Sequence, residues 1–274
     1  MASRRQRSIS IPRRINPGDP EAAGLQVCYV AMPGQMMDLV KGDVAIRQGT
    51  ADPTRSNAEG TLDAYFDGTD DRYSFPIADY LDETAPFTIV WEGILDAFVD
   101  SYPMVATWNI GIGSKPLEFF YTSDANYNDI CLGWDTGSAV SMLKPASVAL
   151  TAERHWGSWS YKGGTFSDTA NHDVFLNGAA CTGTTTSTFG TGTEENNVGG
   201  FAASFGDWNG SIRQVRVYNR IWSHADHVRF WHPSSRDSLF APRRQRLWVG
   251  QSAAVSIIGQ RIIGGGWGGR TIGA

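Results

Sequence analysis

From Leu25 to Tyr218 the apolar residues of this chain come in short runs rich in Val, Ile, Phe, Trp and Tyr, with Gly, Asn and Asp in the gaps between them. LQVCYVAMP (25–33), PFTIVWEGILDAF (86–98), MVATWNIGIG (104–113), SVALTAERHWGSWSYKGG (147–164) and HDVFLNGAACTG (172–183) all follow this pattern. No stretch sustains a 3.6-residue period. Short strands separated by turn residues bury their apolar faces most readily by packing sheet on sheet. The sequence therefore predicts an all-β, antiparallel jelly-roll β-sandwich with an extended N-terminal arm and a C-terminal tail. The 274 residues include 31 Gly, in keeping with many turns. Hydrophobic residues make up 41%, enough for one large core.

Three domain pieces are expected: a basic extended arm over 1–20, the sandwich over 21–233, and an Arg/Gly/Ile-rich docking tail over 234–274. LDAYFDGTDDRYSFP (62–76) reads as a short hairpin turning at Asp67-Gly68. DWNGSIRQVRVYNRIWS (207–223) reads as a long closing strand. Ile212 and Val215 are three apart, so either a β-bulge lies between them or both faces of the strand are covered. Arg213, Arg216 and Arg220 suggest a basic strip for a partner. The best helix candidate runs from Ser223 to Trp231, with Ser223 as N-cap and Asp226 three residues on.

The net charge of −5 hides a division. Residues 1–20 hold five Arg and one Asp, and residues 238–274 five Arg and no acid, so the central body is strongly negative. Arg4, Arg5, Arg7, Arg13 and Arg14 crowd the first end, and Arg243, Arg244 and Arg246 the second. Basic tails on an acidic body suggest docking on acidic surfaces, including neighbouring copies of the same body. Ile262, Ile263 and Trp267 in the tail would then bury against a partner or add a strand to its sheet edge. No folded basic face accompanies the tails, which argues against nucleic acid as the partner. Cys28, Cys131 and Cys181 have no CxxC spacing and read as reduced thiols. The Arg-rich start is not followed by the apolar segment of a secretory signal, and no run has the length of a membrane span. Synthesis in a reducing cytoplasm, without membrane partners, is the expectation.

Several positions together resemble the laminin-G/concanavalin-like family. They are Phe66-Asp67-Gly68, Phe87-Thr88-Ile89 with Trp91, Val174 to Gly178, Asn197-Val198-Gly199-Gly200, and the segment from Gly210 to Arg220. Asn177-Gly178 would supply a type I′ turn. Trp231-His232-Pro233 and Leu239 to Arg244 further resemble laminin-G-like proteins of tailed bacteriophages. That resemblance implies a non-enzymatic virion structural protein. It would be made in the host cytoplasm, decorate a head or join a tail, and assemble with other virion proteins and with itself through its terminal arms. The alternative is a carbohydrate-binding adhesin that uses the sandwich loops to hold surface glycans.

Catalytic and metal signatures are weak. Asp124, Asn126, Asn128 and Asp135 have the alternating oxygen ligands of a calcium loop. Asp129 stands where such a loop needs Gly, and Asp135 is shorter than the usual Glu, which favours a solvated Asx-rich loop. Asp67, Asp70 and Asp71 form a second acidic cluster. No cofactor is expected beyond this possible calcium. Glu92, Asp96, Glu194 and Glu195 do not reproduce a glucanase carboxylate pair. The five histidines carry no metal-binding spacing. Trp156, Trp159 and Tyr161 in HWGSWSY are the glycan candidates, set against the usual burial of Trp between sheets.

Overall fold

The computed structural model describes residues 14–49, 55–56, 62–76, 81, 85–99, 103–109, 116–121, 130–134, 138–187, 196–200 and 206–240. In chain order the strands are β1 (Leu25–Met32), β2 (Gln35–Asp38), β3 (Ile46–Gln48), β4 (Arg55–Ser56), β5 (Leu62–Asp67) and β6 (Arg72–Phe75). Then come β7 (Phe87–Leu95), β8 (Met104–Asn109), β9 (Pro116–Tyr121), β10 (Ile130–Trp134), β11 (Ser138–Leu143) and β12 (Arg154–Tyr161). The last are β13 (His172–Leu176), β14 (Ala179–Ala180), β15 (Thr182–Ser187), β16 (Asn196–Val198) and β17 (Asn209–Tyr218), followed by helix α1 (His224–Trp231). All their ladders are antiparallel. One sheet runs β14-β13-β12-β7-β17-β1-β2, with β5 also paired to β17 and β4 to β5. The other runs β15-β11-β10-β9-β8-β16-β6-β3. The predicted all-β antiparallel jelly-roll sandwich is the observed fold.

The two sheets meet through large aromatic side chains. Trp91 on β7 meets Phe119 on β9 edge-on at 4.5 Å, and Phe119 in turn touches Trp159 on β12. Such offset contacts add to the burial of each ring. The Trp91 indole N–H donates to the Tyr121 hydroxyl at 2.7 Å. His155 Nε2 lies 2.7 Å from the Ala149 carbonyl, which can only accept. Its Nδ1 must therefore accept, and the Tyr121 hydroxyl donates to it at 2.9 Å. Burial holds this imidazole neutral by pushing its pKa down.

The two readings of the closing strand, a bulge or cover on both faces, both hold: residues 212–218 are buried throughout. The strand's register against β7 shifts between Ile212 and Gln214. The extra residue keeps Ile212, Val215 and Val217 in the inter-sheet core. It also turns both Arg213 and Gln214 outward onto Glu92. The Asn177-Gly178 turn has positive φ at both residues, as a type I′ turn needs. Helix α1 starts at a complete capping box between Ser223 and Asp226.

Three expectations need correction. The 62–76 segment is not a hairpin. β5 belongs to the first sheet and β6 to the second, so Asp67–Asp71 forms a corner between sheets. The arm does not extend through residue 20, because Ile15 bridges to Phe240 and the Asn16 N–H donates to the Leu239 carbonyl at 2.7 Å. The sandwich does not end at 233 either, since Leu239 and Phe240 pack into a cluster with Cys28 and Val30. The apolar outer face of β1 needs this cover, and the chain supplies it from both termini at once.

Beneath that cover lies a buried ionic layer. Glu92 is fully buried and is held by Arg213, Arg154 and Gln214. Arg154 also binds Asp63 at 2.6 Å, and Arg213 binds Asp237 at 2.8 Å. Arg216 donates to Gln214 and pairs with Glu21, its guanidinium lying between the rings of Phe230 and Phe240. The supposed basic strip is thus turned inward: Arg213 and Arg216 are buried, and Arg220 pairs with Asp226. The outer face of a central strand is apolar only if nothing charged covers it. Here Glu92 and Asp63 within the sheet, with Glu21 and Asp237 from the segments that cover it, match the arginines.

Helix α1 is seated by His227. Its ring stacks on Phe175 at 4.4 Å, and Nδ1 lies 2.6 Å from the Ser158 hydroxyl. Burial pushes its pKa down to about 4. An unfolded chain protonates this histidine near pH 6.5. Between about pH 6.5 and 4 the unfolded state therefore binds a proton that the native state refuses, and stability falls as the pH drops through that window. His155 and His172, also lowered by burial, act in the same direction. The Glu21 and Asp38 carboxyls, raised by burial, act the other way, so the His227 share is read by difference. Between pH 7 and 4.5 wild type should lose about 2 kcal/mol more in urea melts than His227→Gln does. His227→Gln should flatten part of that slope, and an unchanged slope would remove His227 as a cause.

Candidate functional site

An exposed aromatic face stands where α1 meets the β13–β14 turn. Trp231, the last residue of α1, is 37% exposed. Its indole lies so close over Gly178 that a Cβ there would come within 2.7 Å of the ring. Gly178 also has φ +79°, so a side chain is excluded by conformation as well as by space. The neighbouring Asn177 is locked to Trp156. Its side-chain oxygen accepts the Trp156 N–H at 2.9 Å, and its own N–H donates to the Trp156 carbonyl at 3.0 Å. The Arg236 guanidinium lies 4.4 Å over the half-buried Trp156 ring. The result is a rigid patch with an open indole, a covered indole and a cation beside it. A patch of this kind can stack a flat apolar face and hydrogen-bond the polar groups around it.

Strand alternation sorts the earlier glycan candidates. Trp159 and Tyr161 point into the core and are fully buried, so they form no platform. Trp159 donates to His172 Nδ1 at 2.9 Å, and Tyr161 donates to the Gly164 carbonyl. Trp156 lies on the opposite face, toward α1, and alone of the three reaches the surface. Trp208 is also a core residue, its indole N–H donating to the Ile94 carbonyl. Trp231 was missed as a surface aromatic. Its signal was a tryptophan on a short polar helix whose buried side is already filled by His227 and Phe230.

The other sites fall as follows. Glu92 is surrounded by cations and sealed from solvent, so it offers no catalytic carboxylate. Asp124, Asn126, Asn128 and Asp135 lie outside the described residues, as do Glu194 and Glu195. So do Arg4, Arg5, Arg7, Arg13, Arg243, Arg244, Arg246, Ile262, Ile263 and Trp267. Arg14 is exposed and lines an open cleft of about 700 Å³ with Ile15, Leu25 and Leu39. Cys28, Cys131 and Cys181 form no disulfide, and burial pushes Cys28 up to about 12. Asp67, Asp70 and Asp71 do come together at the β5–β6 corner, each with a carboxylate oxygen within 4.8 Å of the others. Among the described residues no helix is long and apolar enough to cross a membrane.

These features define an all-β antiparallel sandwich with an aromatic surface patch. No protein-family model and no curated protein sequence matches the chain. Among solved structures it is similar to domain 4 of AbnA, a GH43 extracellular arabinanase from Geobacillus stearothermophilus, in complex with arabinotriose. The TM-score is 0.55 at 12% identity, covering 77% of this chain and 99% of that one. It is also similar to Trypanosoma rangeli sialidase, with a TM-score of 0.52 at 16% identity over 84% of this chain. The match covers 37% of the sialidase chain, so this protein spans little more than a third of its length. The binding domain of Paraclostridial Mosquitocidal Protein 1 matches with a TM-score of 0.50 at 7% identity, covering 76% of this chain and 52% of that one. At these identities the likeness is one of fold.

Proposed function

We propose that the chain is a non-catalytic carbohydrate-binding module that holds a glycan against Trp231 and Trp156. The observation that carries this reading is the exposed Trp231 indole, fixed over Gly178 beside the Trp156–Arg236 pair. The similarity in fold to an arabinanase domain solved with arabinotriose supports it. The neutralisation of Glu92 supports the absence of a hydrolytic centre. A glycan array probed with the full chain is expected to retain a defined set of oligosaccharides. Trp231→Ala should weaken that binding roughly tenfold while the chain stays folded, with a small drop in melting temperature from the lost packing on Gly178. Retention that survives both Trp231→Ala and Trp156→Ala would overturn the assignment.

A second reading, a phage virion subunit anchored through its ends, rests on a different observation. Ile15 and Phe240 pair, so the two ends of the described chain lie side by side. Adjacent exits would let both engage one acidic surface together. An empty array, together with incorporation into phage particles that needs residues 1–13 and 241–274, would favour this reading over the first.

A further inference from the structure

We propose that the β5–β6 corner is a calcium-class cation site formed by the carboxylates of Asp67, Asp70 and Asp71. The corner forms where the chain passes from one sheet to the other, and Gly68 at φ +79° makes the sharp bend. The bend brings three carboxylates together, with an oxygen of each within 4.8 Å of the others. Calcium binds oxygens at 2.3–2.6 Å, so ligands on opposite sides of one ion stand about 5 Å apart. The three oxygens therefore fit around a single ion. Asp67 and Asp70 are exposed, leaving the outer side of the site open to water ligands.

The independent sign of a ligand is the Asp71 side chain. The residue is 1% exposed. One carboxylate oxygen accepts the Asp67 N–H at 2.8 Å, and the other, Oδ1, is sealed from solvent with no hydrogen-bond partner. A buried carboxylate oxygen without a donor is costly unless a cation meets it. The groups that stand with it in the cluster are the Asp67 and Asp70 carboxylates, which when ionised accept hydrogen bonds and donate none. Hard oxygen ligands with no nitrogen or sulfur among them select calcium over transition metals. The site stands apart from the Trp231 patch and does not depend on glycan binding.

The test uses the full chain, stripped with EDTA and dialysed. Calorimetric titration with calcium chloride is expected to give a dissociation constant of about 10⁻⁴ to 10⁻³ M. At 10 mM calcium the melting temperature should rise by about 5 °C over sodium chloride of equal ionic strength. Asp71→Asn should weaken binding at least tenfold. Asp70→Asn, at an exposed position, should weaken it too and guards against misfolding of the first variant. Absence of heat and of any shift beyond sodium chloride would overturn the proposal, as would equal affinity in the wild type and both variants. So would an Asp71→Asn chain that melts higher than wild type while calcium leaves the wild type unmoved, because Asp71 would then be a protonated acid bonded to Asp67.

Discussion

Glu92→Ala is expected to lower the stability of the sandwich by about 3–5 kcal/mol, among the largest losses from any single polar substitution in this chain. Glu92 is fully buried and is the common partner of Arg154, Arg213 and Gln214. Removing it strands two guanidinium groups in a site covered by the terminal segments. Arg213 keeps Asp237 and Arg154 keeps Asp63, so neither cation is wholly abandoned. Both nonetheless lose their shared, most deeply buried carboxylate. Removing a buried ion pair together should cost far less than breaking it, because desolvation offsets much of the attraction. Glu92→Met combined with Arg213→Met leaves Arg154 paired with Asp63 and frees only the half-exposed Asp237, so it should recover most of the loss. Urea midpoints of the single and double variants check this. A single-variant loss below about 1 kcal/mol would mean that the layer is solvated and the termini only loosely seated.

How far the sequence could be read depended on whether local or distant groups decide an outcome. The turn at Asn177-Gly178, the cap at Ser223 and the bulge near Arg213 were legible because each is set by residues within a few positions of one another. The Asp67–Asp71 corner was misread as a hairpin. Its local chemistry is that of a tight turn, and only pairing with the distant β17 and β16 assigns its two strands to different sheets. The arginines of β17 were misread for the same reason. Their partners, Glu21 and Asp237, lie in terminal segments whose composition resembles linkers. The glycan candidates fell between these cases. Alternation along β12 already separates Trp156 from Trp159 and Tyr161, but not which face is open. That is decided by α1, which places Trp231 at the rim, and by the turns after it, where Arg236 lies over the Trp156 ring.

Gly157→Ala is expected to destabilise the fold by about 3–5 kcal/mol or to prevent folding altogether. Gly157 lies in the middle of β12, opposite Trp91 on β7 and Leu176 on β13. A Cβ there would stand 1.9 Å from the Trp91 indole, and the next-nearest ring atoms are little farther away. The indole cannot simply swing clear. Its N–H is bonded to the Tyr121 hydroxyl, its ring is wedged against Phe119, and Tyr121 is held in turn by His155. Displacing it breaks that chain and leaves a buried donor unmatched. If this account holds, shrinking the ring should make the methyl tolerable. Trp91→Leu alone opens a cavity and is destabilising. With Gly157→Ala added, the loss should be smaller than the sum of the two single losses by at least about 1 kcal/mol. Thermal melts of the four chains measure this coupling. Additive losses would show that the glycine serves β12 itself and not the ring packed on it. The glycine stands in HWGSWSY, between two tryptophans in a strand where a backbone without a side chain otherwise only weakens pairing. In such a strand a glycine marks the close approach of something large from the neighbouring strand, here the Trp91 ring that joins the two sheets.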